Sequence, residues 1–347
     1  MAPTRMFETT ADDRDRMHRI LVLSAFSPRQ NMLPIELTPP DLGPYRASNT
    51  GVGYVHRFSS KRPGPSVMIQ ALTHGNELCG AIALDWLFKQ GVPTPPTGEL
   101  VLSFANVEAF DRFDAADPSA SRCVDEDFNR VWADEVLFGP GDSVELRRAR
   151  ALQPFVDAAD LLLDIHSMQD ACRPLMVCGL LDKGADFAKQ LGMPGDLLID
   201  TGHPSGLRMR DRGGFGDPAS AKNALLIECG QHWEAASAEV AIDSVVRFLR
   251  LTGVVDQAWA DARLRLPLPA QQHLVRVDQP IVALSNDFHF LFPVHGLDVI
   301  AKAGTPYAQD GDTVFTTPYD NTVLVMPSLK HGKPGNTMVR LGRFEAC

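Results

Sequence analysis

Apolar runs that end in an ionisable residue recur along this chain. Val67 to Leu72 is apolar except for Gln70 and is followed by Gly75-Asn76, so it predicts a buried strand closed by a turn. Cys79 to Lys89 carries apolar residues at helical intervals, and Glu99 to Asn106 predicts a second strand. Upstream, Gly51 to Phe58 alternates enough to be a strand, and Pro63-Gly64-Pro65 predicts a hairpin turn joining it to the Val67 strand. Ser143 to Ala159 predicts an amphipathic helix through Val144, Leu152, Phe155, Val156 and Ala159, leading into a strand from Leu161 that ends in His166. Ala224 to Gly230 repeats the pattern with Glu228 near its end, and Ala238 to Leu251 predicts a helix with Gly253 as its cap.

After Leu264 the texture changes to short alternating segments (VRV, HFLF, TVFTT, TVLVMP) separated by Gly, Pro, Asn and Asp, which predicts a small all-β domain. The expected organisation is an N-terminal arm over 1–50, an α/β catalytic domain over 51–263 and a β-rich domain over 264–347. The arm holds a charged helix candidate around Arg5 and Asp12 to Arg16, then a segment spaced by Pro34, Pro39, Pro40 and Pro44.

Composition narrows the function classes. The 347 residues are 44% hydrophobic and 22% charged, as in ordinary globular proteins, and no run approaches a membrane span. The expectation is a protein that is not an integral membrane protein and has no signal peptide, since the short run Ile20 to Phe26 follows mixed charge. A net charge of -10 argues against a nucleic-acid partner. The six cysteines form no CxxC pair, which suits reduced thiols in a cytoplasm.

The candidate chemistry lies at the strand ends. His74 and Glu77 stand three residues apart, one leaving a strand and the other in the first turn of the predicted helix; imidazole and carboxylate together suit Zn2+, which takes three protein ligands in a catalytic site. A lone HxxE is equally a loop histidine followed by a glutamate favoured by the helix dipole, so a third ligand is required. Asp164 and His166 are two apart on a strand and share a face, so Asp164 is a candidate to orient the imidazole. Glu228 is a carboxylate at the end of an apolar strand, where burial raises its pKa and a metal lowers it, the tuning a proton shuttle needs. Ser121 to Trp132 (SRCVDEDFNRVW) predicts a charged loop with Arg122, Asn129 and Arg130.

The motifs HGNE at His74 to Glu77, Arg122 to Arg130, DIH at Asp164 to His166 and ECG at Glu228 to Gly230, with a TPYDN-like segment at Thr317 to Asn321, resemble in order the succinylglutamate desuccinylase and aspartoacylase family, relatives of the zinc carboxypeptidases. The resemblance implies a mixed eight-stranded sheet flanked by helices with a small C-terminal all-β domain. It implies one Zn2+ per chain held by His74, Glu77 and His166, and Glu228 as catalytic acid and base. It assigns Arg122 to polarising the substrate carbonyl, and Asn129 with Arg130 to holding a carboxylate. The reaction implied is hydrolysis of a small N-acyl amino acid, in a protein of a family that forms dimers or tetramers.

Substrate identity stays open. The ten residues before Glu228 contain only Lys222 as a cation, where aspartoacylases resemble one another in carrying an arginine that grips a second carboxylate. Arg208, Arg210 and Arg212 lie farther upstream in a Gly-rich loop; Arg210 is a candidate to reach in, and surface charge on a mobile loop is the competing reading. Tyr319 is a candidate to close over the pocket, or a packing residue. Two rival functions are a deacetylase of an N-acetylated diamino acid and a non-catalytic metabolite-binding protein on the same fold. His273, His289, His295 and His331 lack carboxylates at metal spacing and read as structural or surface residues.

Overall fold

The computed structural model describes residues 6–7, 33–330 and 332–345. The charged helix candidate of the N-terminal arm and His331 lie outside the described residues. The described residues divide into two compact units, Ile35–Val277 with Phe344 and Glu345, and Asp278–Arg343 with the described residues before Ile35.

The larger unit is built on eight strands, the last of which belongs to it only through Val277: β1 (Val55–Ser59), β2 (Ser66–Ala71), β3 (Glu99–Phe104), β4 (Leu161–Met168), β5 (Leu175–Val177), β6 (Asp196–Ile199), β7 (Asn223–Gln231) and β8 (His273–Val282). Their order across the sheet is β1-β3-β2-β4-β7-β5-β6-β8. β3, β2, β4 and β7 run parallel at the centre, while β1 lies antiparallel to β3 and β5 antiparallel to β7. The expected hairpin between β1 and β2 does not form, because both edges of β2 are taken by β3 and β4 and the chain carries β1 past it to pair with β3.

Strand alternation sorts side chains onto two faces. Val67, Ile69 and Ala71 of β2, Leu163 and Ile165 of β4 and Leu225 and Ile227 of β7 pack against three helices, α1 (Leu78–Lys89), α3 (Asp182–Leu191) and α4 (Ala235–Leu251). Met68, Leu162 and Ala224 face the other way, onto α2 (Val144–Ala158) and the aromatic pair Phe128 and Trp132. Continuing the period of two, Gln70, Asp164, His166 and Glu228 fall on this second face at the carboxyl ends of the parallel strands. That edge is where open α/β sheets bind ligands.

The smaller unit is all β. Asp298–Ile300, Thr322–Val325 and Thr337–Glu345 pair antiparallel, as do His289–Phe290, Pro306–Asp310 and Thr313–Thr316. Their core is apolar, with Ile281, Phe288, Tyr307, Leu324 and Val339 buried. Among the described residues no helix is long and apolar enough to cross a membrane.

Candidate active site

The β2 end is strained on purpose of geometry: Leu72 adopts φ of +60°, a left-handed conformation that an L side chain adopts only when its surroundings enforce it. Its carbonyl accepts the Asn106 N–H at 2.8 Å, which ties the turn to the end of β3. Gly75 has to be glycine, because a Cβ there would lie 2.4 Å from both Phe110 N and Ser121 O. This close approach lets Gly75 N–H donate to the Arg122 carbonyl at 3.1 Å, and the charged loop is thereby fastened to the turn. Glu77 occupies the N-cap of α1 rather than its first turn, so its side chain is free of the helix and swings back toward His74.

His74, Glu77 and His166 are all buried and offer ligand atoms within 4.8 Å of one another. His74 Nδ1 lies 2.7 Å from Glu77 Oε1, and His166 Nδ1 lies 3.0 Å from Oε2. The opposite nitrogen of each ring has its own carboxylate: His74 Nε2 is 2.9 Å from Asp127 Oδ1, and His166 Nε2 is 2.8 Å from Asp164 Oδ2. A neutral imidazole that donates from Nε2 presents a lone pair at Nδ1, so in that form both rings would aim lone pairs at the Glu77 carboxylate. Such a cluster repels itself unless protons or a cation lie between its members. Burial opposes the charge on His166, yet Asp164 and Glu77 outweigh it and hold the imidazole protonated well above its ordinary range. Glu77, whose burial pushes the other way, is held well below the carboxylate range by His74 and His166. Glu77 Oε2 is buried and, though near His166 Nδ1, not aligned for a hydrogen bond. Two imidazoles with carboxylate-anchored backs and one carboxylate between them fit a divalent cation in place of those protons.

The supporting shell reaches farther than the motifs. Gln70 Nε2 donates to Thr73 Oγ1 at 3.2 Å and Thr73 to Asp164 Oδ1 at 2.8 Å, so Asp164 is locked on both oxygens. Thr73 and Asp127 were not singled out by the sequence; a Thr before the histidine and the acid two residues before Asn129 are the signals available, and neither is distinctive alone. Arg122 Nη2 donates to Asp127 Oδ2 at 3.0 Å and its Nη1 lies 3.8 Å from Glu77 Oε1. Arg122 Nη2 also sits 2.9 Å from His74 Nε2. Guanidinium can only donate, so the carboxylate of Asp127 is the acceptor for both the ring and the arginine. Arg130 Nη2 is 3.9 Å from the same carboxylate, and its Nη1 donates to the Asn129 carbonyl at 2.7 Å. Asn129 is buried and its Oδ1 accepts Met209 N–H at 3.0 Å.

Glu228 lies beside His166 in register across β4 and β7. Burial pushes its carboxyl up to about 8, with Glu77 adding to the rise and His166 and Arg122 opposing it. Its Oε2 is buried without a hydrogen-bond partner.

Arg210 and Tyr319 are each engaged by neighbours of their own. Arg210 is buried, donating to Asp211 Oδ1 at 2.5 Å and to the carbonyls of Cys178 and Ala224 at 2.8 and 2.7 Å. Arg208 forms a two-bond pair with Asp200 at 2.8 and 2.7 Å, and Arg212 binds Asp157 and Asp134. The loop arginines are therefore neither a free substrate reader nor surface charge; they are buried ties. Tyr319 belongs to the smaller unit, where its hydroxyl donates to Asp278 at 2.9 Å and its ring lies 3.6 Å from the Arg343 guanidinium carbon.

Parallel strand ends, a buried His-Glu-His cluster and a neighbouring high-pKa carboxyl define the class as a hydrolase-type α/β protein with a site suited to one metal ion. The family model for the succinylglutamate desuccinylase/aspartoacylase catalytic domain matches residues 63–250, and the chain belongs to that family. Over 118 residues it is 30% identical to the N-acyl-aromatic-L-amino acid amidohydrolase (carboxylate-forming) of Rattus norvegicus, a match spanning 31% of this chain and 35% of the rat protein. The fold is similar to a succinylglutamate desuccinylase from Vibrio parahaemolyticus, with a TM-score of 0.60 at 18% identity over 85% of this chain and 87% of that one. It is similar also to the ectoine utilization protein EutE (DoeB) from Ruegeria pomeroyi, with a TM-score of 0.59 at 16% identity over 86% and 93% of the two chains.

Proposed function

We propose that this protein is a zinc-dependent amidohydrolase that cleaves the amide of a small N-acyl amino acid. The observation that carries the reading is the His74-Glu77-His166 cluster with Glu228 in register beside it. His74, Glu77 and His166 would hold the zinc, which when bound would supply Lewis acidity for water activation near neutral pH. Glu228 takes the proton of the attacking water and returns it to the departing amine, a role suited to a carboxyl raised by burial and drawn back by a nearby cation. Arg122 donates to the carbonyl oxygen as it gains negative charge. Arg130 offers its fork to the substrate carboxylate, and Asn129, whose Oδ1 is engaged by Met209, offers its amide N–H groups. A catalytic domain over 51–263 and a cytoplasmic site of action accompany this reading, the latter in keeping with a sequence whose cysteines form no CxxC pair.

The engaged arginines favour an amine half with one carboxylate. Arg208, Arg210 and Arg212 are each committed to acids or carbonyls, so none supports recognition of an aspartate side chain. The N-acyl-aromatic-L-amino acids in the name of the rat relative are in keeping with that. The test is amine release from N-acetyl, N-succinyl and N-aroyl amino acids before and after chelation and zinc restoration. Zinc-restored release from monocarboxylate substrates is expected; no release across the panel by protein with stoichiometric zinc would sink the proposal.

A further inference from the structure

Glu145 is a fully buried carboxylate in the first turn of α2, and all four of its donors are uncharged. Asn106 Nδ2 at 2.9 Å and Val124 N–H at 2.6 Å donate to Oε1, while Asp125 N–H at 3.0 Å and Glu126 N–H at 3.2 Å donate to Oε2. Three consecutive amides closing on one carboxylate form a concave anion cradle, here occupied by a side chain from another element. The loop grips the helix in return. Asp125 Oδ2 accepts Val144 N–H at 2.7 Å, and Glu126 accepts the hydroxyl of Ser143, the N-cap residue of α2. Residues 124–126 and 143–145 are thus latched in both directions.

The residue that follows the latch is Asp127, whose carboxylate stands against His74 Nε2 and Arg122 and takes the Asn129 N–H at 2.9 Å. Holding three successive amides leaves Asp127 little freedom. A buried charge is a costly way to fill this space, since an apolar side chain would satisfy α2 and its neighbours at lower desolvation cost. Packing alone therefore does not account for the carboxylate; the loop amides it organises do.

We propose that Glu145 is the positioning residue of the candidate metal centre: it fixes the 124–126 amides so that Asp127 holds the His74 ring in its ligating orientation. This rests on the reading of His74, Glu77 and His166 as metal ligands. Glu145 itself touches neither metal nor substrate. Replacing it should act on zinc affinity through Asp127, in the manner of a partner behind a metal-bound imidazole.

The test is zinc affinity of the full chain, measured by competition with a chromogenic chelator, in the parent, Glu145→Gln, Asp127→Asn and the double variant. Each single change is expected to weaken zinc binding about 10- to 100-fold, with the double variant no weaker than the weaker single one, because both act on the same contact. Val156→Ala, a cavity lower on the same helix, loosens the fold without touching the latch and should leave zinc affinity unchanged. Should Glu145→Gln fail to fold, Asn106→Ala removes one of the four donors and should weaken zinc a few-fold. A parent that binds no zinc overturns the metal reading and this inference with it. A zinc-binding parent overturns the inference alone if Glu145→Gln, or Asn106→Ala in its place, keeps full affinity, if the two effects simply multiply, or if Val156→Ala weakens binding equally.

Discussion

Two arginine- and aspartate-rich loops of the larger unit look alike in sequence and do opposite things. In Arg122 to Arg130 the side chains of Arg122 and Arg130 keep 38% and 20% exposure and share one carboxylate, Asp127, which is also the partner of His74. In Arg208 to Arg212 the three arginine side chains keep 7%, 3% and 8% exposure and are met by Asp200, Asp211, Asp157 and Asp134. In the first loop the two arginines converge on a single carboxylate that also meets the buried His74. The second has matched every guanidinium with acids or carbonyls, which turns it into a tie between β6, α2 and the strand ends. Whether an arginine can read a substrate is thus decided by its neighbours' charge count, which no local spacing records.

Removing a ligand should produce the largest effect. His166→Ala is expected to lose both bound zinc and activity, with turnover down by at least about 10³-fold, checked by metal analysis and amine release. Glu228→Gln should keep zinc at parental stoichiometry while turnover falls about 10²- to 10⁴-fold, because only the proton carrier is lost. A Glu228→Gln protein of near-parental rate would remove the proposed mechanism. The loops themselves are contrasted by Arg130→Ala and Arg208→Ala. Arg130→Ala should raise KM about 10- to 100-fold with little change in melting temperature. Arg208→Ala should leave KM of the folded protein near parental but destabilise it by about 3–5 kcal/mol, since Asp200 would stay buried without its partner. If both variants act on KM alone, the contrast between the loops is wrong.

The smallest expected effect is on acid stability. Burial would raise the Asp211 carboxyl, but Arg210 and Arg208 outweigh it and hold the folded-state pKa below the ordinary value. A depressed carboxylate stabilises the fold above its unfolded value of about 3.9 and loses that contribution as pH falls through the folded one. Melting temperature should therefore decline below about pH 4, and Asp211→Asn should lower the neutral plateau and flatten the acid limb. An acid limb of unchanged slope in that variant would assign the decline to other carboxylates.

Much of the site was legible because it sits where periodicities break. A period of two puts Asp164 and His166 on one face, and apolar runs ending in His74, His166 and Glu228 mark three parallel strand ends. The features that were not legible are those fixed by long-range contact. The short strands β5 and β6 span three and four residues, too few for alternation to show, and α3 between them was missed with them. Asp127 and Glu145 look like ordinary charges in a polar loop and a helix first turn; only their partners, 53 and about 20 residues away in sequence, give them a role. The burial of the second loop's arginines was hidden for the same reason, since Asp157 and Asp134 lie 55 and 78 residues from Arg212.

The last strand of the larger unit sets a limit on protein engineering. β8 begins ten residues beyond Arg263, and its first four residues pair in parallel with β6. A fragment trimmed at Arg263, where the helical part of the sequence gives out, would uncover the backbone donors and acceptors of β6 along one side of the sheet. Exposed edges of that kind recruit other strands. Such a fragment is expected to elute as aggregates even with every residue of the candidate centre present.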